Sequence, residues 1–197
     1  MRIFEPGGGD MPRSAGNRVA TVPNAVTLLR LMAVPFVVQA IITGSYGVAL
    51  VLLVVFASTD WVDGFLARAL NQVSRFGALF DPAVDRVFIV AVAFALFWAD
   101  LVPLWAVLLV VVRDVSVLLI AGVLLVRGVV APAVSKLGKA GSFAVMTAAV
   151  LLVAAEIASG GLAIALRYVT VGVFFAGVSA AYIATLGYAR ALRSSVH

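Results

Sequence analysis

Residues 60–85 read DWVDGFLARALNQVSRFGALFDPAVD, and this stretch carries acidic side chains in strongly apolar surroundings. Four of the nine acidic residues of the chain fall within it: Asp60, Asp63, Asp81 and Asp85. Residues three or four positions apart share a face of a helix, so Asp60 lies on the same face as Asp63, and Asp81 lies on the same face as Asp85. Two neighbouring helices joined by a short turn would therefore direct four carboxylates into one space.

Four carboxylates in one space repel each other unless cations neutralise them, and ionised groups near hydrocarbon persist only where a cavity, a cation or a metal accommodates them. The chain has no cysteine, and its single histidine is His197. An all-oxygen ligand set suits Mg²⁺ or Mn²⁺. The stretch therefore predicts a site for hard divalent cations, which commonly bind phosphate groups as well.

The composition around this stretch is that of a membrane protein. Of 197 residues, 64% are hydrophobic and 12% are charged, whereas soluble domains carry about 25% charged residues. This excludes an ordinary soluble domain, a disordered chain and a collagen-like fibre. We predict an all-α integral membrane protein with six spans of about 20 residues each. The spans are 24–43, 47–68, 79–99, 103–126, 137–158 and 163–188.

The basic residues predict the orientation of these spans. They lie before the first span, around the second and fourth connections between spans, and after the last span, at Arg2, Arg13, Arg18, Arg68, Arg75, Arg127, Lys136, Lys139, Arg190 and Arg193. The connections around Gly44, Asp100 and Gly160 carry neither Lys nor Arg. By the positive-inside rule both termini face the cytoplasm, which means the plasma membrane if the source is bacterial. The net charge of +5 is explained by this topology, so we expect no nucleic-acid partner.

We divide the chain into three parts on this basis. Residues 1–23 are polar and Gly-rich and predict a flexible cytoplasmic tail, residues 24–190 hold the six helices, and residues 191–197 predict a short cytoplasmic tail. Small residues at Gly122 and Gly172–Gly177 permit close helix contact in a homodimer, although packing within one chain explains the same glycines.

The aspartate stretch resembles the signature of the CDP-alcohol phosphotransferase family. Eight positions match it at fixed spacing: Asp60, Asp63, Gly64, Ala67, Arg68, Gly77, Asp81 and Asp85. Residues 23–30, PNAVTLLR, are also similar to the start of the family's first helix, and the resemblance covers nearly all of the chain after residue 20. It implies the six-helix fold of this family and transfer of a substituted phosphoryl group from a CDP-linked donor to an alcohol. CMP would be released, in a cavity open to the cytoplasmic leaflet.

The resemblance also implies roles for individual residues. Asp60, Asp63 and Asp81 would hold two divalent ions, with Asp85 beside them as metal neighbour and general base. The donor, CDP-diacylglycerol, would be bound by Asn24, Thr27, Gly64, Ala67, Arg68, Ser74 and Gly77. Read without the resemblance, the glycines are equally typical of helix packing and the arginines of anchoring at the membrane surface.

The acceptor alcohol is predicted from residues 97–103 and 112–115, which look like the CMP-forming cardiolipin synthases of this family. We therefore expect phosphatidylglycerol as acceptor and cardiolipin as product, with glycerol 3-phosphate, giving phosphatidylglycerophosphate, as the alternative. Candidates for the acceptor phosphate are Arg113, Lys136 and Lys139, although Arg113 and Asp114 would also suit pairing with each other or with other helices. Glu156 and Arg167 are expected to pair at the outer loop.

A small cation transporter is an alternative from a different class of function. Carboxylates within a membrane carry cations in small transporters. Transporters often contain repeated halves, and residues 100–197 hold no second aspartate cluster. The sequence therefore favours the enzyme.

Overall fold

The computed structural model describes the backbone of residues 22–70, 75–126 and 136–194, and the side chains of residues 27–58, 84–120, 122–123 and 137–187. Within these ranges all regular structure is helical. The helices are α1 (Val22–Ile42), α2 (Tyr46–Leu70), α3 (Arg75–Trp98), α4 (Leu104–Val126), α5 (Lys136–Ile157) and α6 (Gly160–Ser194). Each helix contains most of one predicted span. The larger differences are that α3 begins four residues before position 79 and that α6 continues past position 188. At these ends the helical backbone includes arginines, Arg75 on α3 and Arg190 and Arg193 on α6, which a search for apolar runs leaves out.

Three connections turn tightly because one residue in each adopts the left-handed conformation. These residues are Gly44, Asp100 and Gly160, with φ of 70°, 56° and 61°. After α1, Ser45 N–H donates to the Ala40 carbonyl at 2.9 Å, and after α3, Leu101 N–H donates to the Leu96 carbonyl at 2.9 Å. Such bonds satisfy the last carbonyls of a helix and end it. The short turns place consecutive helices side by side in opposite directions.

The helices pack around a core that α1, α2, α3 and α5 share. Ile41 and Leu53 are fully buried, and Val92 and Val153 are at most 2% exposed. Phe56 on α2 meets Phe88 on α3 with ring centroids 5.1 Å apart. This core joins α3, which carries two of the aspartates, to α1, α2 and α5, and α3 also packs against α4.

The α5–α6 pair approaches most closely where two glycines face each other. A Cβ on Gly141 would lie 2.8 Å from the backbone of both Gly177 and Ala181, and a Cβ on Gly177 would lie 2.8 Å from the Cβ of Ala144. Gly177, predicted as part of a surface between two copies, is thus used for contact within one chain. Gly122 and Gly172 have no atom within 4 Å of the Cβ position, and the homodimer stays a prediction.

Among the described side chains, each of the six helices exposes large apolar residues. Leu29 and Phe36 on α1 are each 66% exposed, and Tyr168 on α6 is 77% exposed. Among the described residues, Leu137–Ile157 and Gly160–Gly187 are long and apolar enough to cross a membrane, each with a mean hydropathy of 1.9. An apolar exterior of this extent is unfavourable in water and suits lipid. The protein is membrane-associated.

Candidate active site

The four predicted metal ligands lie on two helices that share α1 as a neighbour. Asp60 and Asp63 belong to the C-terminal part of α2, and Asp81 and Asp85 to the N-terminal part of α3. Helix α1 packs against both α2 and α3. The side chains of Asp60, Asp63 and Asp81 lie outside the described residues, so the predicted metal cluster is not tested by the structure. Among the side chains that are described, no three acidic or histidine residues form a metal-binding group.

Asp85 is the one member of this set whose side chain is described, and it forms an ion pair with α1. Arg30 Nη1 donates to Asp85 Oδ1 at 2.6 Å. The Arg30 side chain is 5% exposed, whereas that of Asp85 is 42% exposed. Buried charge of this kind requires a partner. Arg30 therefore holds Asp85 from the protein side, while part of the Asp85 side chain remains exposed.

Thr27, predicted to contact the donor, lies on the same face of α1 as Arg30. The two residues are three positions apart, which aligns them on one face, and Thr27 is 1% exposed. No role was predicted for Arg30 itself. The signal that would have found it is a charged residue within an apolar helix, since such residues have a function or a partner by default.

A second polar cluster links α3, α4 and α5 immediately beside Asp85. Asp114 Oδ1 accepts hydrogen bonds from Arg86 Nη1 at 2.7 Å and from Arg113 Nη1 at 2.6 Å. Arg113 Nη1 also donates to Ser142 Oγ at 3.0 Å. Successive helical residues point in different directions, so Asp85 faces α1 and Arg86 faces α4. The Asp85–Arg86 dipeptide thus joins the two polar clusters.

Arg113 is both a candidate for binding the acceptor phosphate and a candidate for pairing within the helix bundle. Arg113 is 9% exposed. Besides Asp114 and Ser142, its Nη2 donates to the Gly138 carbonyl at 3.4 Å. The pairing of Arg113 with Asp114 and neighbouring helices, which was the alternative, is what the structure shows. The more exposed cation of this cluster is Arg86, whose side chain is 23% exposed and which was not predicted.

The other predicted site residues divide by what the structure describes. Lys139 is exposed in the first turn of α5. For Asn24, Gly64, Ala67, Arg68, Gly77 and Lys136 only the helical backbone is described, and Ser74 lies outside the described residues. The expected outer pair is confirmed, since Arg167 Nη2 donates to Glu156 Oε1 at 2.9 Å.

Comparison with known proteins identifies the family to which this arrangement belongs. Residues 20–181 match the family model described as CDP-alcohol phosphatidyltransferase. A CMP-forming cardiolipin synthase of Streptomyces coelicolor is 36% identical over 163 residues, which cover 78% of this chain and 76% of that protein. A putative cardiolipin synthase of Mycobacterium bovis is 43% identical over 136 residues, covering 66% of this chain and 63% of that protein.

A further relative carries a different name. The CDP-diacylglycerol–glycerol-3-phosphate 3-phosphatidyltransferase of Bacillus subtilis is 31% identical over 111 residues, covering 49% of this chain and 58% of that protein. The transporter alternative receives no support from these relatives, which are all named as enzymes. Since the family model matches residues 20–181 out of 197, this chain belongs to the CDP-alcohol phosphatidyltransferase family of enzymes.

Proposed function

We propose that this enzyme transfers the phosphatidyl group of CDP-diacylglycerol to phosphatidylglycerol, giving cardiolipin and CMP. The observation that carries this proposal is the complete aspartate motif at residues 60–85, in a chain that matches a CMP-forming cardiolipin synthase along 78% of its length. Within that motif, the Asp85 side chain is 42% exposed and is paired with the buried Arg30.

Divalent cations fit the residues of the proposed site. Family members generally use divalent metal ions, and the donor set here is four carboxylates without a thiol or imidazole, which suits Mg²⁺ or Mn²⁺. We assign two ions to Asp60, Asp63 and Asp81, with Asp85 adjoining. When bound, such ions polarise the diphosphate and stabilise negative charge on the departing CMP.

Asp85 serves as the general base in this proposal. The acceptor hydroxyl gives its proton to the Asp85 carboxylate as its oxygen attacks the lipid-side phosphorus of the donor. The bond from that phosphorus to the CMP oxygen breaks as the new ester bond forms. A positioned base contributes about 10²- to 10⁴-fold to such a step. Arg30, which is buried against Asp85 at 2.6 Å, fixes the direction of the carboxylate.

The donor occupies the side of the site formed by α1, α2 and the start of α3. We assign its cytidine diphosphate to residues that are small or can donate hydrogen bonds, namely Asn24, Thr27, Gly64, Ala67, Arg68, Ser74 and Gly77. Glycine and alanine allow close approach of the ligand to the helix backbone, and arginine pairs with phosphate oxygens.

The phosphate of the acceptor is assigned to cations at the opposite side of Asp85. Lys139 is exposed at the start of α5, next to Lys136. Arg86 adjoins Asp85 in sequence and keeps part of its surface exposed while it pairs with Asp114. The Arg113 guanidinium already donates to Asp114, Ser142 and the Gly138 carbonyl, and we assign it to holding Asp114 and thereby Arg86.

We place this site on the cytoplasmic side of a six-span protein, with both termini in the cytoplasm. The support is the large exposed apolar residues on the described part of each helix, together with the distribution of lysine and arginine among the connections. In a bacterium this location is the plasma membrane.

Glycerol 3-phosphate is the second candidate acceptor. The observation in its favour is the 31% identity to the phosphatidyltransferase of Bacillus subtilis, although this match covers only 49% of this chain. The distinguishing experiment uses protein purified in detergent with CDP-diacylglycerol and Mg²⁺ or Mn²⁺, offering phosphatidylglycerol and glycerol 3-phosphate in separate reactions. We expect cardiolipin and CMP with phosphatidylglycerol only. Formation of phosphatidylglycerophosphate in the reaction with glycerol 3-phosphate would instead identify glycerol 3-phosphate as the acceptor.

A further inference from the structure

A large apolar cavity lies at the end of the bundle away from Asp85. Its volume is about 400 Å³, within the roughly 300–1,000 Å³ of small-molecule sites. On α3 its lining extends from Ile89 to Leu96, and it continues onto the connection before α4 and onto α4, α5 and α6. That part of α3 begins one turn beyond Asp85 and is about 10 Å long. None of the described residues that line the cavity is a carboxylate of the proposed active site.

An aromatic pair stands at the rim of this cavity. Trp105 on α4 stacks on Phe175 on α6, with ring centroids 6.0 Å apart and planes at 19°. Both residues line the cavity, and they are 51% and 47% exposed. The cavity thus has an apolar interior and an opening on the lipid-facing side of the bundle.

Two polar residues interrupt the otherwise apolar lining. Thr170 is 8% exposed, and its buried Oγ1 has no hydrogen-bond partner in the described structure. A buried hydroxyl without a partner is unfavourable, and this one lines a cavity large enough for a ligand. Arg167 also lines the cavity, is 60% exposed, and uses one donor for Glu156. A guanidinium has five N–H donors, so Arg167 can bind an anion while it keeps its hydrogen bond to the Glu156 carboxylate.

The positions of Arg167 and Thr170 along α6 match the order of the polar groups in a phospholipid. Arg167 and Thr170 are three residues apart on α6, so Thr170 lies about 4.5 Å deeper along the helix. A phospholipid has its anionic phosphate at the surface, its ester carbonyls slightly deeper, and its hydrocarbon chains deepest. We propose that this cavity is a phospholipid-binding site. The phosphate contacts Arg167, an ester carbonyl accepts from Thr170 Oγ1, and one acyl chain fills the apolar space.

This site differs from both substrate positions of the proposed reaction, and it does not depend on that reaction. Its Arg167–Glu156 pair lies at the end of the bundle where α5 connects to α6, whereas Asp85 lies near the middle of α3, 13 residues before the helix ends at Trp98. A lipid bound here would come from the leaflet opposite to the active site. The test therefore measures binding without turnover, and its failure would leave the phosphatidyl transfer untouched.

The experiment uses tryptophan quenching by a phospholipid with brominated acyl chains. The chain has three tryptophans, so Trp61→Phe with Trp98→Phe leaves Trp105 as the only reporter. Phosphatidylethanolamine with brominated chains is titrated into this protein in detergent, and inorganic phosphate is titrated in parallel as a competitor. We expect saturable quenching by the lipid. Millimolar phosphate should not displace it, because the chain supplies much of the affinity.

Variants then distinguish a built site from general contact with lipid. Arg167→Gln should weaken the binding about tenfold or more, and Thr170→Val about threefold to tenfold. The matched control is Glu156→Gln, which breaks the same ion pair but keeps the guanidinium, so lipid affinity should be unchanged or higher. Quenching that does not saturate, or that is the same in Arg167→Gln and Thr170→Val, would overturn the proposal. Equal weakening by Arg167→Gln and Glu156→Gln would also overturn it, since the ion pair alone would then matter.

Thermal unfolding provides a second readout for Thr170. Without added lipid, Thr170→Val should unfold at a higher temperature than the unsubstituted protein, because a buried hydroxyl without a partner is replaced by an apolar group of the same shape. With phosphatidylethanolamine added, the rise in unfolding temperature should be smaller for the variant. A lower unfolding temperature of the lipid-free variant, with an unchanged response to lipid, would contradict the role of this hydroxyl.

Discussion

Arg30 on α1 lies 2.6 Å from Asp85 on α3, with the arginine buried and the aspartate 42% exposed. This arrangement gives one carboxylate of the motif a fixed inner side and an accessible outer side. The ion pair also joins α1, which carries proposed contacts to the donor, to α3, which carries the proposed general base. In the proposed reaction, Arg30 is a positioning residue that acts through Asp85.

Arg30→Gln should lower kcat about 10- to 100-fold with little change in the KM for the donor, because a misdirected base costs rate more than binding. Arg30→Lys should restore part of the rate, since it keeps the charge but lacks the planar fork. Steady-state kinetics on detergent-purified variants measure both. An unchanged kcat in Arg30→Gln would show that the ion pair does not position the base, and circular dichroism melting would show whether a loss of rate reflects unfolding.

Asp85→Asn should lower turnover by about 10²- to 10⁴-fold, because the amide cannot accept the hydroxyl proton. Donor binding, measured with labelled CDP-diacylglycerol, should persist. Asp100→Asn is the matched control, since Asp100 is exposed at the far end of α3 with φ of 56° and asparagine tolerates that conformation. Equal loss of activity in both variants would argue against a specific role for Asp85.

The polar cluster around Asp114 predicts that replacing Asp114 destabilises the protein more than replacing Glu156. Asp114→Asn leaves the largely buried Arg113 and Arg86 short of their shared partner, and should cost about 3–5 kcal/mol. Glu156→Gln breaks a pair whose arginine is 60% exposed, and should cost about 1 kcal/mol or less. Unfolding in detergent measures the difference.

Replacing Arg113 tests whether this residue holds Asp114 or binds the acceptor. If it holds Asp114, Arg113→Gln should lower the unfolding temperature, and any loss of rate should follow from the weakened fold. A higher KM for the acceptor at unchanged unfolding temperature would instead favour the acceptor-binding role first predicted from the sequence.

The α5–α6 contact predicts that Gly141→Ala and Gly177→Ala destabilise the protein. Each added Cβ would meet backbone or Cβ atoms at 2.8 Å, and overpacking of this kind typically costs about 1–3 kcal/mol. Gly172→Ala on the same helix meets nothing within 4 Å and should be neutral or stabilise by about 0.5–1 kcal/mol. Thermal unfolding of the three variants checks this. Equal effects would mean that Gly141 and Gly177 do not form a close contact.

The positions of the helices follow largely from the sequence, since long apolar runs and turn residues at Gly44, Asp100 and Gly160 mark their limits. The pairing of charges across helices does not follow from it. Arg30 and Arg86 are single charges in apolar runs, and only the packing of α1, α3 and α4 determines which carboxylate each one meets.

Small residues illustrate the same limit. The sequence around Gly177 does not show whether this glycine contacts a second copy or another helix of the same chain. The structure shows that it contacts α5. The metal ligands were predicted from spacing and from the family resemblance. The side chains of three of them lie outside the described residues, so their roles remain predictions.

The most direct test of the proposed function follows the phosphorus that is transferred. CDP-diacylglycerol labelled at its lipid-side phosphorus is incubated with the purified protein, Mg²⁺ and phosphatidylglycerol, and the label is traced in lipid and nucleotide products. We predict that the label appears in cardiolipin, with unlabelled CMP released in equal amount, and that chelation of the metal stops both. Label leaving with the nucleotide, or label transferred to glycerol 3-phosphate but not to phosphatidylglycerol, would contradict the account.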